Sequence, residues 1–201
     1  NNSHPDMQYK AGVVVMQSAI ILAGGRSSRM GQDKALLKLQ GKTLLHRAVA
    51  LVKAAGINQI LISRNEPGFI NDLYPGAGPL AGIQSALLHV NAKHCLVLPV
   101  DTPLLTADLL KLLLQHPCSC FADSPLPAVI PNTTEVKHWL SNQLQQKTPD
   151  RSIQQFLQSF GVVEIECPDQ QALANTNTPD QWQHVIQLCG DHAKNLQYHQ
   201  P

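Results

Sequence analysis

Charged residues are scarce in this chain. Asp, Glu, Lys and Arg make up 14% of its 201 residues, against about a quarter in ordinary soluble domains. The formal net charge is only +1, which excludes a broad basic face for nucleic acid and an acidic tail. Any recognition of phosphate must therefore be built locally. Long apolar runs are missing too. None approaches the ~20 residues that span a bilayer, so no membrane is expected as a partner. The first residues, NNSHPDMQYKAGVVVMQ, lack a basic segment followed by a long apolar stretch, so they do not read as a signal peptide. Paired cysteines are also absent. The five are Cys95, Cys118, Cys120, Cys167 and Cys189, and only Cys118 and Cys120 lie close, as C-x-C. An odd count argues against a disulfide scaffold, and no second pair stands at zinc-ligand spacing. Reduced, buried thiols and a cytoplasmic location are the expectation.

What remains is a chain that is 43% hydrophobic and long enough to bury a sizeable core. Residues 1–15 read as an N-terminal extension, and residues 16–201 as a single domain, with no internal repeat or composition break. Short apolar runs alternate with helical spacing. Ala19–Leu22, Gln59–Ser63 and Cys95–Val100 read as buried strands. Leu44–Ala55, closed by Gly56, and Leu80–Val90, preceded by Gly78 and Pro79, read as helices, as does Ala107–Gln115. Later segments are less regular. Cys120–Ala122, Ala128–Ile130 and Val162–Ile165 are short strand candidates, while Glu135–Gln145, Ser152–Phe160 and Pro179–Leu188 are helix candidates, the last capped by Thr178.

Apolar strands separated by helices predict an α/β fold, a Rossmann-like three-layer α/β/α sandwich around a mostly parallel sheet. Ligands in such folds bind beyond the carboxyl ends of the strands. That rule selects Gly24–Lys34, Arg64–Asn65 and Asp101. The first segment is rich in suitable chemistry. Gly24, Gly25 and Gly31 let backbone N–H groups approach phosphate oxygens, Ser27 and Ser28 add hydroxyls, and Arg26, Arg29 and Lys34 add positive charge. Two better-known phosphate loops are excluded. The glycines are adjacent and not spaced as G-x-G-x-x-G, and Gly41-Lys42-Thr43 is no P-loop, because Leu36 stands where the pattern needs its first Gly. The histidines His46, His89, His94, His116 and His138 have no ligand spacing and are expected on helix faces or at helix ends.

The segment LAGGRSSRMGQDK resembles the L-A-[GA]-G-x-S-x-R-[MF]-G-x-x-K signature of nucleotidyltransferases. Three further segments resemble the branch that comprises the molybdenum cofactor guanylyltransferases: Gly78-Pro79-Leu80-Ala81-Gly82, Pro99-Val100-Asp101-Thr102-Pro103 and Asn175-Thr176-Asn177-Thr178-Pro179. The resemblance implies the nucleotide-diphospho-sugar transferase type of fold. It implies transfer of GMP from GTP to the terminal phosphate of molybdopterin, with release of pyrophosphate. By matched position, Leu22, Ala23, Gly24 and Gly25 would contact the nucleotide, with Asn65, Asp72, Gly78 and Gly82 shaping its base and ribose side. Arg29 and Lys34 would neutralise the phosphates. Asp101 would bind nucleotide and Mg²⁺, with Mn²⁺ as an alternative ion, and Asn175 and Asn177 would face the acceptor or the metal. The implied partners are a molybdenum-insertion protein, a GTP-binding adaptor and apo-molybdoenzymes. The chain departs from many relatives between His116 and Pro131, where its acceptor-side segment is short. Two other readings stay open at this level: a nucleotidyltransferase for another base or acceptor, such as a molybdopterin cytidylyltransferase, and a non-catalytic nucleotide- or pterin-binding adaptor.

Overall fold

Strand β1, Ser18–Leu22, shows why this sequence makes a layered sheet. Its side chains alternate between two cores. Ala19 and Ile21 enter one, Ile20 enters the other, and all three are fully buried. The structure, a computed structural model, describes residues 17–24, 33–146 and 152–197. The extension at 1–15 therefore lies outside the described residues.

After β1, two short strands, β2 (Lys38–Leu39) and β3 (Lys42–Thr43), form a hairpin. Gln40 and Gly41, at φ 52° and 79°, make its two-residue turn. Gly41-Lys42-Thr43 thus closes a hairpin, and Thr43 caps the following helix, α1 (Leu44–Ala54), by accepting from the His46 N–H at 3.1 Å. The chain continues through β4 (Gln59–Ser63), α2 (Pro79–Leu87), β5 (His94–Pro99) and α3 (Ala107–Leu113). It then runs through β6 (Ser119–Phe121), β7 (Ser124–Pro131), α4 (Thr134–Gln145), α5 (Ile153–Ser159), β8 (Val163–Ile165) and α6 (Pro179–Gln197).

Six strands form one sheet in the order β4-β1-β5-β7-β6-β8. β1 is parallel to both β4 and β5, β6 is parallel to β8, and β7 runs antiparallel to β5 and β6. Five strands therefore point the same way, and their carboxyl ends share one rim. The helices divide between the faces. α1, α3 and α6 pack on one side through Val52, Leu110 and Val185. α2, α4 and α5 pack on the other through Leu80, Leu140 and Phe156. This is the expected α/β/α sandwich.

The switch in strand order falls between β1 and β5. From β1 the chain crosses to β4 on one side, and β5 adds on the other, which opens a crevice at their carboxyl ends. α2 lies close over that crevice. A Cβ built on Gly82 would stand 2.4 Å from Ser63 Oγ and 3.2 Å from Leu22 Cδ2. A side chain here would force Ser63 and Leu22, or α2 itself, to shift. Gly78, the N-cap of α2, adopts φ 79° and ψ −167°, a conformation open essentially to glycine alone.

His94 corrects an expectation, since it opens β5 at the amino end of the sheet and is not on a helix. All five cysteines are buried and free of disulfides. Burial raises the Cys95, Cys118 and Cys189 thiols, and raises Cys120 to about 11, with Glu164 adding to that last shift. These four thiols stay protonated at neutral pH.

Close packing at Gly82 makes a prediction. Gly82→Ala should destabilise the protein by about 1–3 kcal/mol through overpacking. Gly190→Ala, at a helical site with nothing within 4 Å of the new methyl, should gain about 0.5–1 kcal/mol. Urea midpoints measure both, and equal stabilities for the two variants would contradict the packing described.

Candidate active site

Three segments distant in sequence meet where β1 and β5 end. The ladder between these strands extends one step past their ends, because the Val100 N–H donates to the Leu22 carbonyl at 3.1 Å. The Ala23 N–H donates to the Ser63 carbonyl of β4 at 2.9 Å. Leu22, Ala23 and Gly24 are thereby fixed between the ends of β4 and β5. Gly24 is exposed, with its backbone open to the rim. Gly25 and Arg29, and the other residues of the expected phosphate loop through Gln32, lie outside the described residues.

The chain resumes at Asp33, which caps a single 3₁₀ turn, Lys34–Leu36, by accepting from the Ala35 N–H at 3.0 Å. Ala35 is fully buried and anchors the turn. Lys34 then reaches across to the end of β5. Its ammonium pairs with Asp101 Oδ2 at 2.9 Å and also donates to Asn177 Oδ1. Both side chains of the Lys34–Asp101 pair are 17% exposed, so the two charges are only partly hydrated. Removing one would leave the other poorly compensated.

Asn177 is carried by the segment before α6, and that segment is bolted to Asp101 itself. The Thr176 N–H and its hydroxyl both donate to the Asp101 carbonyl, at 2.9 and 3.2 Å, and Thr176 is fully buried. Just beyond, Thr178 and Gln181 form a capping box. The Gln181 N–H donates to Thr178 Oγ1 at 3.3 Å, and Gln181 Oε1 accepts from the N–H groups of Asn177 and Thr178 at 2.8 and 3.1 Å. The expected Thr178 cap is therefore present, and it sets the direction of Asn177. Asn175 is exposed two residues earlier.

A second group lies past β4. Asn65 Nδ2 donates to Asp72 Oδ2 at 2.9 Å, the Asp72 N–H donates to Asn65 Oδ1 at 2.7 Å, and Ser63 Oγ donates to Asp72 Oδ1 at 3.4 Å. This reciprocal pair holds the return to α2. The Leu73 N–H adds to it by donating to the buried Ser85 Oγ at 2.9 Å. Between the two groups, Arg64 forks onto Asp33, through Nη1 to Oδ1 at 3.2 Å and through Nη2 to Oδ2.

Thr176, Ser63 and the Arg64–Asp33 fork were not singled out from the sequence. Only the placement of Arg64 just after a strand pointed toward it. The short 116–131 segment, expected on the acceptor side, forms the β6–β7 hairpin, whose turn reaches the same rim as Asp101. A cleft of about 90 Å³ beside it is lined by Asp123, Ser124, Gln158 and Glu164 among others. Among the described residues, no three His, Cys, Asp or Glu side chains gather as a metal cluster, and no helix is long and apolar enough to cross a membrane.

A glycine-bearing strand end, a lysine facing an acid across the switch crevice and a polar loop completing the node thus stand where folds of this kind bind their ligands. The chain belongs to the family of MobA-like NTP transferase domains, which matches residues 19–162. A molybdenum cofactor guanylyltransferase from Xanthomonas euvesicatoria pv. vesicatoria (strain 85-10) is 38% identical over 177 residues, covering 84% of this chain and 94% of that one. One from Shewanella piezotolerans is 30% identical, covering 89% and 96%. Among solved structures, molybdopterin-guanine dinucleotide biosynthesis protein A from Archaeoglobus fulgidus has the same fold, with TM-score 0.70 and 23% identity over 88% of this chain and 100% of that one. A nucleotidyl transferase from Methanothermobacter thermautotroptrophicus aligns with TM-score 0.68 and 19% identity over 86% and 96%.

The Thr176 hydroxyl can be tested alone. Thr176→Val keeps shape and the backbone bond but loses the second donor to Asp101. It should cost about 1 kcal/mol in urea unfolding, and unchanged stability would show that the hydroxyl bond contributes nothing.

Proposed function

We propose that this chain transfers GMP from GTP to the terminal phosphate of molybdopterin and releases pyrophosphate. The observation that carries this reading is the convergence of Lys34, Asp101 and Asn177 on one rim. Relatives matched over nearly their whole length, named for guanylyl transfer to the molybdenum cofactor, supply the substrates.

The chemistry needs few groups. A phosphate oxygen of the acceptor attacks the α-phosphorus of GTP, a new P–O bond forms, and the bond to the bridging oxygen of pyrophosphate breaks. The nucleophile is already largely ionised near pH 7, since a phosphomonoester's second pKa is about 6. No general base is required. The barrier comes from two approaching anions and from charge growing on the leaving group, so positioning and neutralisation carry catalysis.

Lys34 supplies a positive charge held at the mouth of the crevice, and Arg29 is assigned to the phosphates on the signature alone. Asp101 and Asn177 offer a carboxylate and an amide oxygen that already share one cation, the Lys34 ammonium. Such a sparse oxygen set fits Mg²⁺, which binds through one or two carboxylates plus substrate phosphates, and Mn²⁺ fits the same donors. When bound there, the ion supplies Lewis-acid neutralisation of phosphate oxygens. Leu22, Ala23 and Gly24 present backbone to the nucleotide, and Gly25 is assigned to it on the signature alone. Asn65 and Asp72 face its base or ribose, with Gly78 and Gly82 letting α2 close over it, and Asn175 lies toward the acceptor. The family resemblance supports a molybdenum-insertion protein, a GTP-binding adaptor and apo-molybdoenzymes as partners in the cytoplasm.

Pyrophosphate release with molybdopterin and GTP, CTP or ATP tests the reading. GTP should be preferred, and Asp101→Ala should lower turnover on the order of 10²-fold or more. Preference for CTP would overturn the base assignment, and near-normal turnover by Asp101→Ala would overturn the role of the acid.

A further inference from the structure

We infer that Arg64 is a positioning residue for triphosphate binding, acting through Asp33 to set Lys34. This rests on the guanylyl-transfer reading of the site. Arg64 follows β4 directly, and its residue is only 8% exposed. A buried guanidinium needs a partner, and here the partner is Asp33, bound through both terminal nitrogens. The fork is braced on its other side, where the guanidinium carbon lies 5.8 Å from the centroid of the Phe69 ring. The backbone is fixed separately, since the Arg64 main-chain N–H donates to the Ile70 carbonyl at 2.9 Å. The side chain cannot swing away without abandoning both Asp33 and Phe69.

Asp33 does two things at once. Its Oδ1 caps the turn that begins at Lys34, and both of its oxygens receive the Arg64 fork. The carboxylate thus fixes where the backbone of Lys34 starts, and Arg64 fixes the carboxylate. The other end of the phosphate loop is tied to the same place, since Ala23 donates to the carbonyl of Ser63, the residue before Arg64. Both ends of the loop are therefore referenced to the end of β4. The Arg64 guanidinium is paired with Asp33 through both terminal nitrogens and lies beside Phe69, so its charge serves the loop. A lysine at position 64 could not bridge both oxygens in this way.

The inference predicts a loss specific to the phosphates. Arg64→Gln, Asp33→Asn and the double variant would be titrated calorimetrically with GTP and with GMP, after circular dichroism and melting curves confirm folding. Each single variant should bind GTP about tenfold more weakly, and GMP less than about threefold more weakly. The double variant should lose no more than the worse single one, because both act through one fork. Were Arg64→Gln not to fold, Asp33→Asn alters a side chain already 37% exposed and carries the test alone. GTP affinity within twofold of wild type in folded variants would overturn the inference, as would losses that multiply in the double variant or fall equally on GMP. Wild-type protein that fails to bind GTP would instead overturn the guanylyl-transfer reading itself.

Discussion

The Lys34 ammonium, held between the Asp101 carboxylate and the Asn177 amide oxygen, is the interaction on which the site depends. It joins residues separated by 67 and 143 positions in the chain. In a protein with few charges and a net charge of +1, no wide field draws an anion in. The positive charge must be placed, and it is placed by pairing. An acid at the end of a central strand gives the lysine a fixed target, and the amide beyond it closes the node.

The sheet makes that pairing possible. Five strands run in one direction, so β1, β4, β5, β6 and β8 deliver their following residues to a single rim. Among the described strands of that sheet, the reversed one is β7, which lies beyond β5 and leaves the β1–β5 crevice untouched. Each arriving segment is then fixed by a short-range device. Asp33 caps the Lys34 turn, Thr176 grips the Asp101 carbonyl twice, and Asn65 and Asp72 bind each other reciprocally. Glycine at 82 lets α2 come down onto the strand ends.

The main strands and helices were legible because their apolar residues recur with clear periods. Gln59–Ser63 was placed to the residue, and β1 and β5 to within one. The β2–β3 hairpin was not legible, since two residues per strand carry no period. β7 begins at Ser124, earlier than the expected Ala128, and so takes in Pro125 and Pro127. They are tolerated because the β5 ladder reaches only to Ala128, so neither proline owes it a donor. α6 runs past the expected end at Leu188 and continues to Gln197. Single residues of the site were visible through motif order. Their partners were not, because nothing in the spacing of Arg64 and Asp33, or of Thr176 and Asp101, announces that they touch. Arg29 and Gly25 belong to the legible signature but fall outside the described residues.

Whether Lys34 and Asn177 act as one unit is the most direct test of this account. Pyrophosphate release by Lys34→Ala, Asn177→Ala and the double variant gives a coupling from the ratios of kcat/KM. The account predicts strong non-additivity, with the double variant within about tenfold of the worse single one, because removing either residue already breaks the shared node. Losses that multiply, as for two independent sites, would contradict it.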